Sequence, residues 1–147
     1  MNNNLKFAAV AIVDVPVVVN ASAQVQALKK DQQAKAQEIV KFIEKARKDV
    51  ASTTDTDKKK ALEEKYTKEL NTKRELFGQE YNQKMLNIQQ HILNAVREQA
   101  MANNYDMVIA KDVVLYGGDD ITESLKTSVA AVKPVATKSK TNTKKRK

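Results

Sequence analysis

The sequence predicts an α+β fold, mostly α, in which a small β head carries a long antiparallel helical hairpin. Three observations predict it. Residues 105–122, Tyr-Asp-Met-Val-Ile-Ala-Lys-Asp-Val-Val-Leu-Tyr-Gly-Gly-Asp-Asp-Ile-Thr, are rich in the β-branched and aromatic residues that suit strands. The other β-rich run, Phe7–Val15, lies far upstream and is the natural pairing partner. The chain between them is polar and charged, and the whole sequence has only three Gly and two Pro to interrupt helices. A chain that returns to its first strand after a helical excursion has a sheet at one end and a projecting arm.

Residues 1–6 are expected to be disordered. Phe7–Val13, Phe-Ala-Ala-Val-Ala-Ile-Val, is a short continuous apolar run and predicts a strand (residues 7–13) buried on both faces. Asp14 stands two residues before Pro16, and proline suits the first turn of a helix. Asp14 or Val15 therefore caps a brief helical turn through Val19, and residues 7–22 form a first head segment. Asn20–Ser22 breaks that turn, and Ser22 is placed to cap the next helix by accepting a backbone N–H.

The arm spans residues 23–103. From Ala23 to Val50, the residues Leu28, Ala36, Ile39, Ile43, Ala46 and Val50 recur at about a 3.5-residue repeat, with Gln32 in the weak slot. Residues 51–57, Ala-Ser-Thr-Thr-Asp-Thr-Asp, compete for backbone hydrogen bonds and predict the tip. Asp55 or Asp57 caps a second helix reaching Asn103, with a seam of Leu62, Tyr66, Leu70, Phe77, Tyr81, Met85 or Ile88, Ile92 and Ala95. Its last part is its most apolar, and Ile88, Ile92, Leu93, Val96 and Met101 are expected to pack into the head.

Residues 104–132 complete the head. Met107–Ala110 and Val113–Tyr116 predict a β-hairpin over residues 107–116 around Lys111-Asp112, a poor match to the Asn-Gly type of turn. Gly117-Gly118 supplies a bend, and Asp120 starts a last helix with Glu123 in capping-box spacing. Leu125, Val129 and Val132 give that helix an apolar face before Pro134. Residues 133–147 form a low-complexity basic tail, expected to be disordered.

Charge divides along the chain. Of the 26 basic residues, seven lie in Lys133–Lys147, which has no acidic residue. The remaining 19 face 18 acidic residues, so the net charge of +8 is largely a property of the tail. Within Lys41–Lys84, 12 basic residues outnumber 9 acidic ones. No run of about 20 apolar residues exists to span a membrane. Residues 1–6, 7–19 and 21–23 have the rough order of a signal peptide, but Asp14 and Pro16 interrupt the apolar run and cleavage there would remove the first strand.

Cysteine is absent, which excludes disulfides, thiolate metal sites and thiol nucleophiles, and His91 is the one histidine. No metal site, cofactor or catalytic pair stands out, so an enzyme is not expected. Asp119 and Asp120 after Gly117-Gly118 have the form of a metal or phosphate loop, but helix capping accounts for them. The arm's lysines suit acidic or anionic partners. Solvation of an exposed coiled coil, with pairs such as Glu44/Lys48, Glu64/Lys68 and Glu69/Lys73, is the competing account. The aromatic residues of the arm are likewise read mainly as seam packing.

Taken together, Val-Ala-Ile-Val-Asp-Val at positions 10–15, the helical hairpin, and Tyr-Asp-Met-Val-Ile-Ala, Val-Leu-Tyr and Asp-Ile-Thr in order resemble the Skp/OmpH-like chaperones over residues 10–132. The resemblance implies a homotrimer shaped like a jellyfish, with a shared β head and three hairpin arms around a cavity. It implies an ATP-independent holdase for unfolded outer-membrane proteins in the periplasm. A strand that begins so near Met1 keeps a cytoplasmic location as the alternative. Short strands and one short helix are too little for a stable core alone, which agrees with sharing among subunits.

On this reading Phe42, Lys45, Lys48, Lys58, Lys59, Tyr66, Phe77 and Tyr81 are the candidate client contacts. The second reading is a coiled-coil protein whose tail, with Lys144, Lys145, Arg146 and Lys147, contacts nucleic acid or an anionic membrane surface. The tail has no aromatic residue to stack on bases.

Overall fold

The computed structural model describes residues 8–131. Strand β1 (Val10–Val13) leads into helix α1 (Val15–Ala21), followed by α2 (Ala23–Ser52) and α3 (Thr56–Ala102). Strand β2 (Met107–Ala110), a single 3-10 turn (Lys111–Val113), strand β3 (Asp119–Asp120) and helix α4 (Thr122–Ala130) close the described chain.

The helix starts follow from the capping residues. Asp14 accepts a hydrogen bond from the Val17 N–H at 3.4 Å, with Pro16 in the first turn of α1. Ser22 Oγ accepts from the Val25 N–H at 3.4 Å, and an Asp55 carboxylate oxygen accepts from the Lys58 N–H at 3.0 Å. The tip is Thr53–Asp55, inside the predicted stretch. Helix α3 ends where Asn104 takes a left-handed conformation, φ 57°, letting the Tyr105 N–H reach the Ala100 carbonyl at 2.9 Å.

The sheet corrects one expectation. Residues 107–116 do not form a β-hairpin. Strand order is β2-β1-β3, and both outer strands run parallel to β1. Met107 pairs with Val10 and Ala110 with Val13, whereas Ala11 and Ile12 pair with Asp119 and Asp120. Lys111-Asp112 lacks the positive-φ residues of a tight hairpin turn, so the chain coils instead and passes to the other edge of β1. Residues 113–116, expected as a strand, lie outside the sheet, and Leu115 and Tyr116 are fully exposed. Gly117 (φ 91°) and Gly118 (φ 85°) then turn the chain onto β1.

The first strand is shorter than predicted, and its exposure alternates. Ala11 and Val13 are buried while Val10 and Ile12 are half-buried, so only one face is fully covered. Phe7 lies outside the described residues, as do Val132 and the tail. Ala9 and Asp106 bracket the strand entry by exchanging two 2.8 Å hydrogen bonds.

The head core is Ala11, Val13, Val18, Ile121, Leu125 and Val129, against which Ile92, Ala95, Val96, Tyr105 and Val108 pack. Burial of one such aliphatic side chain is worth about 1.5–3 kcal/mol. Val25, Leu28 and Ile88 form a second cluster at the base of the arm, and Ile92 packs against both. The end of α3 enters the head as expected through Ile92 and Val96. Leu93 and Met101, however, are exposed, because residues on the outer side of that helix meet no neighbour.

The predicted capping box on α4 does not form either. Asp120 stands one residue too early, so its carboxylate accepts from both the N–H and the hydroxyl of Thr122 while also pairing with Lys111 at 3.1 Å. Thr122 Oγ1 in turn accepts from the Asp14 N–H at 3.0 Å, joining the starts of α1 and α4. The two bonds from Thr122, then Lys111, hold the Asp120 carboxyl at about 2, against an ordinary value of 3.8. A depressed native pKa stabilises above the unfolded value and is lost as pH falls through the native one. Asp120→Asn is therefore expected to lower the thermal midpoint at pH 7 and to flatten its fall between about pH 4 and 2. Calorimetry across that range is the check, and parallel wild-type and variant curves would refute it.

Candidate functional site: the helical arm

Helices α2 and α3, 30 and 47 residues long, lie side by side beyond the head. Their cross-contacts pair Asp49 with Tyr66, Glu38 with Lys73, Lys35 with Glu80 and Asp31 with Lys84. Numbers fall along α2 as they rise along α3. Both helices owe their length to the absence of proline and to seam residues returning every three or four positions.

The middle of the seam is aromatic and ionic. Phe42 and Tyr66 meet edge to face, centroids 5.7 Å apart and planes at 79°. Tyr66 donates its hydroxyl proton to Asp49. Lys73 Nζ lies 2.6 Å from Glu38 and 5.5 and 5.8 Å from the Phe77 and Phe42 ring centres. Lys35 Nζ also lies over the Phe77 ring, 5.1 Å from its centre, and joins Asp31 (3.1 Å) and Glu80.

The charges there are mutually satisfied. The hydrogen bond from Lys84 keeps the Asp31 carboxyl below its usual value against the opposing effect of burial, and Lys35 adds to it. Burial pulls the Lys35 ammonium down, yet the bonds to Glu80 and Asp31 outweigh it and leave its pKa raised. Lys35 and Lys73 have half-buried side chains, so these rungs fix the register where an apolar seam would be expected.

The structure brings together Phe42, Tyr66 and Phe77, all half-buried in the seam, and leaves Tyr81 at its edge, 38% exposed. Lys45, Lys48, Lys58 and Lys59 are exposed along the outer arm and make no ion pair among the described residues. One seam position shifts from those predicted: Lys35, not Ala36, is the half-buried residue that reaches α3, where it meets Glu80. The same-helix pairs Glu44/Lys48, Glu64/Lys68 and Glu69/Lys73 are not made; Lys73 reaches across to Glu38, and Glu69 pairs with Lys65 at 3.9 Å.

Sequence reasoning missed the exposed apolar residues Val40, Leu76 and Leu86. Their signal is their position off the seam repeat, where a solvated helix would carry polar side chains. His91 is exposed on α3. Asp119 takes a hydrogen bond from the Tyr105 hydroxyl at 3.3 Å, and with Asp120 committed to Thr122 and Lys111 the Gly-Gly loop resembles no ligand cradle. No group of His, Cys, Asp or Glu among the described residues is placed to hold a metal ion. No described helix is long and apolar enough to cross a membrane. The tail residues Lys144, Lys145, Arg146 and Lys147 lie outside the described residues.

The architecture is thus a long pair of helices, tied together by aromatic contacts and ion pairs, carried on a small parallel sheet. The family model described as Outer membrane protein (OmpH-like) matches residues 9–129, and the chain belongs to that family, the Skp/OmpH-like chaperones. Comparison with curated proteins returned no match.

Proposed function

We propose that the protein is an ATP-independent holdase that keeps unfolded outer-membrane-type proteins from aggregating. The match to the OmpH-like family over residues 9–129 carries this reading. The active form is a homotrimer in the periplasm, with three antiparallel hairpin arms around a cavity. Exposed Met107, Val113, Leu115 and Tyr116 support the trimer, since a small head that leaves such residues in water gains by sharing them with other copies. Binding involves no chemistry. Unpaired Lys45, Lys48, Lys58 and Lys59 supply weak cationic contacts, and Phe42, Tyr66, Phe77 and Tyr81 contribute where the seam opens.

The test is suppression of aggregation of a denatured outer-membrane β-barrel, repeated after deletion of Lys133–Lys147. Full protection by both chains is the expected result. A shorter chain that loses protection would make the tail part of the holdase. If neither chain protects while the full chain binds DNA or anionic vesicles with steep salt dependence, the basic-tail reading replaces this one. Light scattering that finds a folded monomer at micromolar concentration would overturn the trimer.

A further inference from the structure

Gly78 lies inside α3, where glycine weakens a helix, and nothing in the fold requires it. It is not one of the glycines with positive φ, and a Cβ there would meet no atom within 4 Å. Its effect is to leave space. A groove of about 360 Å³ opens beside it, lined among others by Gln32, Ile39, Arg74, Phe77 and Tyr81.

Two donors of this groove, on Gln32 and Arg74, have no acceptor among the described residues. Gln32 Nε2 is shielded from water and has no hydrogen-bond partner. The terminal torsion of glutamine is soft, so the amide turns readily toward an arriving carbonyl. Arg74 is exposed and makes no ion pair among the described residues. No residue lining the groove is acidic. The nearby carboxylates are already paired: Lys35, which also lines the groove, holds Glu80 and Asp31, and Lys84 holds Asp31 as well. Ile39, Phe77 and Tyr81 supply the apolar wall.

Building on the holdase reading, we propose that the groove at Gly78 is a binding site for an acidic, extended segment of an unfolded polypeptide. A client carboxylate pairs with the Arg74 guanidinium, which suits two parallel hydrogen bonds. A client backbone carbonyl takes the Gln32 amide, and a neighbouring apolar side chain fills the space that glycine leaves. The site thus selects charge and one side-chain volume together, which open lysines on the arm do not.

Gly78→Leu fills the groove without removing any contact. Affinity for reduced, carboxymethylated α-lactalbumin, an acidic and permanently unfolded chain, is expected to fall about tenfold by fluorescence anisotropy. The thermal midpoint should hold or rise, because leucine is the better helix former. Gly78→Ala is expected to keep its affinity, and Arg74→Ala to weaken binding and reduce its salt dependence. Because the chain has no cysteine, Gly78→Cys carries a unique benzophenone label, expected to cross-link to the probe. Equal binding by wild type and Gly78→Leu, or cross-links that join only copies of this chain, would overturn the site while leaving the holdase reading intact. A wild-type chain that neither binds the probe nor protects a β-barrel from aggregation overturns both.

Discussion

Leu125→Ala is expected to lower the unfolding free energy by about 3 kcal/mol, read from the urea midpoint by circular dichroism. Leu125 is 0% exposed and lies in one cluster with Ala11 and Val13 of β1 and Val18 of α1. The small residues around it cannot close the void, so the loss of transfer energy is joined by the cost of a cavity. Hydrogen exchange should localise the damage, with protection lost first at the amides of β1 and α4. Leu28→Ala, at the base of the arm and 6% exposed, is the comparison and should leave β1 protected. An unchanged midpoint for the Leu125 variant would remove the head core as the source of stability.

Gly118→Val is expected to cost at least about 2 kcal/mol, since it combines two penalties. At φ 85° a β-branched residue is strained, and its Cβ would stand 2.8 Å from Ile12 Cγ2 and 3.5 Å from the Val10 carbonyl oxygen. Gly117→Ala isolates the first penalty, because φ is 91° there but no atom lies within 4 Å. It should cost about 1–2 kcal/mol. If the two variants melt together, the close approach of residue 118 to β1 has no energetic weight.

The helices were legible because their information is local. Ser22, Asp55 and Asn103-Asn104 mark their ends, and seam residues from Leu28 to Ile92 return at a constant spacing. The seam detail was less so. Lys35 and Ala36 are one residue apart, and only the cross-helix partner Glu80, with Asp31 one turn back on the same helix, makes the lysine the inward residue. The sheet was half legible. Both β-rich runs were recognisable, but their arrangement depends on β1 inserting between β2 and β3, a non-local event with no periodic signature. Two apolar runs separated by Lys-Asp have the pattern of a hairpin until Gly117 and Gly118 are known to turn the chain onto the opposite edge. The groove at Gly78 left only a lone glycine in a helical stretch as its trace.

The central position of β1 has a consequence for the order in which the molecule is made. Its neighbours on both sides, Met107–Ala110 and Asp119–Asp120, come from the far end of the chain. Helices α2 and α3 meet through contacts within their own stretch of the chain, and such contacts form early. The first strand must wait, its apolar residues unpaired, through synthesis of the whole arm. During that interval the nascent chain holds an exposed apolar segment beside an arm already formed, and a chain stopped short of Asp120 would have an arm with no completed sheet to carry it.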